Sequence, residues 1–78
     1  MNLELSILQT LDDASPRLLK FAVLEAETRL ATGDLLASEF DRAISSLDRK
    51  RQIRLHPGED VTRVAITDAG KERVASAK

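Results

Sequence analysis

Arginine recurs through the second half of the chain, at Arg42, Arg49, Arg51, Arg54 and Arg63, and two small hydroxyls, Ser38 and Ser45, interleave with the first of them. If residues 35–50 form a helix, Ser38, Arg42, Ser45 and Arg49 follow at spacings of four, three and four and share one face. A guanidinium presents five N–H donors in a planar fork that matches phosphate oxygens or the acceptor edge of a base, and a serine hydroxyl serves either target at short range. The chemistry on offer is recognition of an anionic, acceptor-rich polymer, not bond breaking. Read blandly, the same face is a solvated helix surface, and Asp41 and Asp48 beside it repel phosphates. The run Arg49-Lys50-Arg51 also has two readings. It can grip a phosphate backbone, or it can be a cationic helix end stabilised by the helix dipole at about 0.3–1 kcal/mol per charge.

Other chemistries lack their residues. Cysteine is absent and His56 is the single histidine, so a disulfide framework, a thiolate zinc site and a histidine-rich metal centre are all excluded or disfavoured. His56, next to Pro57, reads as a solvated turn residue or as one phosphate contact. Every serine falls on a helix face or cap, leaving no nucleophilic triad, and no glycine-rich phosphate loop occurs. No catalytic residue, metal or cofactor is expected, and the chain is not read as an enzyme. Phe21 and Phe40 are the only aromatics, which argues against a module that stacks single-stranded bases on aromatic platforms.

The cationic groups need a scaffold, and 78 residues allow a single domain spanning 1–78. So short a chain buries only about 60% of its unfolded surface, so it must fold on aliphatic packing with little to spare. Charge divides unevenly. Residues 1–34 carry a net −3 and residues 35–78 a net +2, so the basic excess lies with the arginines above. Met1-Asn2-Leu3-Glu4 lacks a basic region followed by an apolar run, so no signal peptide is expected, and the run from Phe21 to Leu24 is too short to span a bilayer. A cytoplasmic location without membrane contact is the expectation.

Leu3, Leu5, Ile7, Leu8 and Leu11 predict a first amphipathic helix. Ser15-Pro16 reads as an N-cap and first position of a second helix, with Leu19, Ala22, Val23, Ala26 and Leu30 inward. Alternatively, 17–19 is extended and that helix begins near Lys20. Gly33 ends it. A third helix over 35–50 buries Leu36, Phe40, Ile44 and Leu47. Strands follow at 52–55 and 61–66 around a Pro57-Gly58 turn, with Ile53, Leu55, Val64 and Ile66 inward. A register that pairs His56 with Val61 sets Arg54 directly opposite Arg63 on the solvent side. Thr67 then caps a last helix. The fold class is mainly α with a small β-hairpin, in the order helix, helix, helix, strand, strand, helix.

In this order the chain resembles the winged helix-turn-helix family of small bacterial DNA-binding regulators. The most specific part runs from Glu39 through Gly70. Residues 39–50 resemble a recognition helix, Gln52-Ile53-Arg54-Leu55 the strand after it, and Ile66-Thr67-Asp68-Ala69-Gly70 the "LTxxG" segment after the wing. Such families often carry Gly where this chain has Arg51 or Gln52. The resemblance implies double-stranded DNA as partner and a role in transcription regulation, with helix 35–50 in the major groove and hairpin 52–66 on the backbone. Ser38, Arg42, Ser45, Arg49, Lys50, Arg51, Arg54 and Arg63 would make the contacts. The competing expectation is a winged-helix protein–protein interaction module. Leu18, Phe21 and Leu24 form a second apolar face on helix two, which either completes the core or is a partner surface, a homodimer interface among the options.

Overall fold

A computed structural model describes residues 2–77. Helix α1 (Leu3–Ala14) leads into a two-residue strand β1 (Leu19–Lys20) and directly into α2 (Phe21–Thr32). Then come α3 (Ala37–Arg49), the hairpin β2 (Ile53–Pro57) and β3 (Thr62–Ile66), and α4 (Asp68–Ser76). The three strands make one antiparallel sheet in the order β1-β3-β2. A mainly helical chain with this small sheet, and with three helices, a hairpin and a helix in succession, is an α+β layout consistent with a winged helix.

The core is aliphatic around one aromatic pair. Ile7, Leu8 and Leu11 of α1, Leu24 of α2, Phe40, Ile44 and Leu47 of α3, and Ile53, Val64 and Val74 all lie within it. Phe21 meets Phe40 edge to face, ring centroids 5.2 Å apart, an arrangement that adds about 0.5–1.5 kcal/mol to the area buried.

Three expectations are corrected here. Ser15 does not cap a helix at Pro16, because residues 15–17 form a turn in which the Arg17 N–H donates to the Ala14 carbonyl at 2.9 Å, the chain is extended at Leu19–Lys20, and α2 starts at Phe21. Leu19 gains more as a strand residue, since its pairing with Val64 carries it onto the buried side of the sheet. That start then sets the rotation of α2. With Phe21 against Phe40, the residues three and seven further on, Leu24 and Thr28, face inward and are fully buried. Ala22, Val23, Ala26 and Leu30, expected inside, are exposed, Leu30 at 84%. The hydroxyl of Thr28 donates to the Leu24 carbonyl at 2.7 Å, so its burial leaves no orphaned polar group. Finally, Leu36 is 65% exposed. It precedes the helix, where its N–H donates to the Glu39 carboxylate at 3.1 Å, and Leu35 packs on the core instead.

The hairpin register also differs. Ile53 lies opposite Ile66, Arg54 opposite Ala65, Leu55 opposite Val64, His56 opposite Arg63, and Pro57 opposite Thr62. The ladder runs two residues further than expected, because His56 and Pro57 continue β2. The Gly58 N–H then donates to the Val61 carbonyl at 2.9 Å to close the loop. A two-residue shift preserves the pleat, so Ile53, Leu55, Val64 and Ile66 still face inward while Arg54 and Arg63 face solvent. Proline is tolerated here because β2 is an edge strand.

One polar node joins the chain's two ends to the middle. Glu4 Oε1 accepts from Arg73 Nη1 at 2.7 Å and from Lys50 Nζ at 3.0 Å, and the same Arg73 nitrogen donates to Gln52 Oε1 at 2.8 Å. Burial pushes the Glu4 carboxyl upward, but hydrogen bonds from Arg73, Lys50 and Ser46 outweigh it and hold the pKa at about 2, against an ordinary 4.5. Folding lowers this pKa. The stabilisation is therefore whole above about pH 4.5 and is lost as pH falls through about 2. Glu4→Gln should cost on the order of 1 kcal/mol at neutral pH, roughly 4–8 °C in Tm for a domain of this size. Thermal melts followed by circular dichroism should show the gap closing toward pH 2. An equal gap at both ends of the range would remove the charge of Glu4 from the stability of the fold.

Candidate nucleic-acid interface

Helix α3 is held from behind by Phe40, Ala43, Ile44 and Leu47, all buried. Its other side is thereby fixed in solvent, and Ser38, Arg42, Ser45 and Arg49 are all exposed on it. Glu39, Asp41 and Asp48 are exposed on the same helix, so its surface is mixed in sign rather than basic. Ser46, between the two faces, is half-buried and donates to Glu4.

Lys50 and Arg51 stand at the joint between α3 and the hairpin, and the structure separates their roles. Lys50 is engaged by Glu4 at 3.0 Å, with half its side chain still in solvent. Arg51 is exposed and has φ +62°, the one non-glycine residue with positive φ among the described residues. Glycine adopts that left-handed backbone freely, whereas a Cβ there costs about 1–2 kcal/mol. The turn is held from the far side by α4. Thr67 Oγ1 donates to the Arg51 carbonyl at 2.7 Å and accepts the Gly70 N–H at 3.2 Å, while the Thr67 N–H donates to the Gln52 carbonyl at 3.1 Å. Gly70 passes so close that a Cβ would collide with the Gln52 carbonyl oxygen and sit 2.7 Å from Ile66 Cγ1. Thr67 and Gly70 thus seat α4 on the turn leaving α3.

Arg54 and Arg63 both project from the outward side of the sheet, but they do not face each other. Arg54 lies opposite Ala65. Arg63 lies between His56 on β2 and Lys20 on β1. Among the described residues the ion pairs are Arg29–Glu25, Lys50–Glu4 and Arg73–Glu4, so neither Arg54 nor Arg63 belongs to one. Arg51 and Arg54 line one shallow groove with Asp48 and Asp68. The anticipated contact residues therefore fall into two sets, four on α3 and two on the sheet, with Lys50 and Arg51 between them. Lys20 is the cation that reading the sequence passed over. Its only local signal was the extended alternative for the residues after Pro16.

Of the anticipated second apolar face, Leu24 is fully buried within its own chain and completes the core, while Phe21 is half-buried against Phe40. Leu18 remains 38% exposed. The apolar side chains left in solvent are instead Val23, Leu30 and Leu36, on α2 and at the turn before α3.

No family model matches the chain, no curated protein is significantly similar to it, and no solved structure matches it.

The backbone at Arg51 yields a direct test. Arg51→Gly should stabilise the fold by up to about 1 kcal/mol, because it relieves the positive φ while the Thr67 hydrogen bond to the carbonyl remains. Urea unfolding of the two proteins measures the difference. A lower midpoint for the glycine variant would mean that the arginine side chain, not the backbone, holds the turn.

Proposed function

We propose that this domain binds double-stranded DNA as a winged helix, as the DNA-binding part of a transcription regulator. Helix α3 enters the major groove and the β2–β3 hairpin lies along the phosphate backbone. The observation that carries this reading is the combination of a helix backed by the core, whose solvent side holds Ser38, Arg42, Ser45 and Arg49, with a hairpin whose outward arginines belong to no ion pair among the described residues. A 13-residue helix is about 20 Å long and fits the width of a major groove end-on or at a slant. Arginines at Arg42 and Arg49, two turns apart, reach either base acceptors or the phosphates that flank them. Arg51, Arg54 and Arg63 add charge that is independent of sequence.

A second reading, a protein–protein interaction module on the same fold, is favoured by one specific observation. Glu39, Asp41 and Asp48 are interleaved with the arginines of α3, while Val23, Leu30 and Leu36 are exposed nearby in sequence. No helix among the described residues is long and apolar enough to cross a membrane, so neither reading involves a spanning segment.

Fluorescence anisotropy with random-sequence and selected duplexes distinguishes the two. Duplex affinity should fall steeply with salt. Arg42→Ala should cost about 1–3 kcal/mol on the selected duplex if it reads a base. Arg63→Ala should weaken all duplexes alike and reduce the slope of log K against log salt by about 0.9. A wild-type chain without salt-dependent duplex binding leaves the interaction module as the function.

A further inference from the structure

Acids and bases on α3 are not scattered. The doublet Asp41-Arg42 recurs seven residues later as Asp48-Arg49, and all four side chains are exposed. At about 100° per residue, a seven-residue repeat returns to the same face with a drift of about 20°. Asp41 and Asp48 therefore form one stripe, Arg42 and Arg49 a second, and Ser38 and Ser45 the seam between them. Both stripes run along the solvent side, away from the buried Phe40, Ala43, Ile44 and Leu47.

Helix stability does not account for the doublets. Opposite charges support a helix at spacings of three or four, whereas adjacent residues do not face each other. At those spacings within α3 the four meet serines, Ala37, Ile44 and one opposite charge, Glu39 from Arg42. The Glu39 carboxylate instead accepts the Leu36 N–H at 3.1 Å. Asp48, next to last in the helix, also opposes its dipole. None of the four belongs to an ion pair among the described residues. Glu4 and Glu39 border a groove with Arg42, and Glu4 is already held by Lys50 and Arg73. Arg51, Arg54 and Asp68 border another groove with Asp48. The second doublet thus has cations of its own chain beside its acid, and Asp41-Arg42 is the principal pair.

The major-groove edge of a G·C base pair is divided in the same way. Guanine presents two acceptors, O6 and N7, which one guanidinium meets with two donors. Its partner cytosine presents the N4 amino group, a donor that a carboxylate accepts. Inverting the pair sets the amino group against the guanidinium and the acceptors against the acid. T·A matches less well, with a single acceptor on thymine and an N7 acceptor beside the adenine donor. A·T places the thymine O4 against the acid.

We infer that α3 reads G·C pairs in one orientation, Arg42 taking guanine and Asp41 the amino group of its partner cytosine, with Asp48-Arg49 repeating the contact further along the groove. The inference rests on the proposed function for duplex DNA as the ligand, and names the class of sequence that site prefers. Seven helical residues rise about 10.5 Å, against about 3.4 Å per base pair. The preferred site therefore holds two G·C pairs about two to three steps apart, according to the slant of the helix, with both guanines on one strand.

Selection of duplexes from a random library with the full chain, followed by sequencing, should return that pattern. Fluorescence anisotropy then compares the selected duplex with versions in which each G·C pair is inverted in turn. Wild type should bind an inverted duplex about 5–150-fold more weakly. Arg42→Ala and Asp41→Asn should lose that discrimination at the same pair, and thermal melts establish that both variants are folded. Asp41→Asn separates reading from mere repulsion. It should bind unselected duplexes more tightly, while its preference for the selected over the inverted duplex falls. Equal tightening on both duplexes overturns the inference, since the carboxylate then only repels phosphate. Salt-dependent binding with no oriented G·C preference overturns it too, and leaves the proposed function standing. A wild type that binds no duplex overturns both.

Discussion

Val64 has no solvent exposure and is flanked in the sheet by Leu19 on one side and Leu55 on the other. That three-residue row is the constraint from which the rest follows. Burying it fixes the sheet's inner side, and the pleat then sends Lys20, Arg63 and His56 outward together. It also fixes the start of α2. Once Leu19 lies in a strand and Lys20 points away, Phe21 begins the helix facing Phe40, and the buried face of α2 runs through Leu24 and Thr28. A two-residue strand therefore determines both the rotation of a twelve-residue helix and the composition of a charged surface.

A second constraint acts at the other end of the sheet. The chain leaves α3 through Arg51 in a left-handed conformation and enters β2 within two residues. Thr67 and Gly70 hold that turn from the N-terminus of α4, and Glu4, Lys50, Gln52 and Arg73 hold it from α1 and the body of α4. An arginine in a position that favours glycine is locally unfavourable. The surrounding hydrogen bonds keep it there, and the result is a cation presented between the α3 face and the sheet face. On the proposed function, this is the stretch of chain over which a bound backbone would pass from one to the other.

The legible parts of the fold were those whose signal is local. The spacing of Phe40, Ile44 and Leu47 within α3, the alternation through Ile53–Leu55 and Val64–Ile66, and the cap at Thr67 each reside in a few adjacent residues, and each matches the structure. What escaped was non-local. Nothing near Leu19 announces that its partner lies 45 residues later. Helix α2 carries apolar residues on two faces, so periodicity could not choose between Val23 and Leu24, and only the partner Phe40 makes the choice. Leu35 and Leu36 are chemically equal, and the capping contact of Glu39 separates them. For the site, the exposure of Ser38, Arg42, Ser45 and Arg49 was legible because it is the complement of a clear apolar stripe. The company Arg63 keeps was not, because a ladder shifted by two residues preserves every face while changing every neighbour.

That distinction bears on how charge is used in so small a domain. The chain's net charge is −1, so attraction to a polyanion cannot come from the molecule as a whole. It depends on where opposite charges are kept apart. In α3, acids and bases alternate, and the field of one cancels that of the next within a Debye length of about 8–10 Å. On the sheet the outward positions Lys20, Arg54, His56, Arg63 and Ala65 include no carboxylate, the strand-loop acids lie at Glu59 and Asp60, and Asp48 and Asp68 share the groove beside Arg54. On the proposed function, the helix would discriminate at contact but attract weakly from a distance, while the sheet would attract without discriminating. On the proposed function these are complementary contributions to binding, and the separation between them is set by the Val64 row.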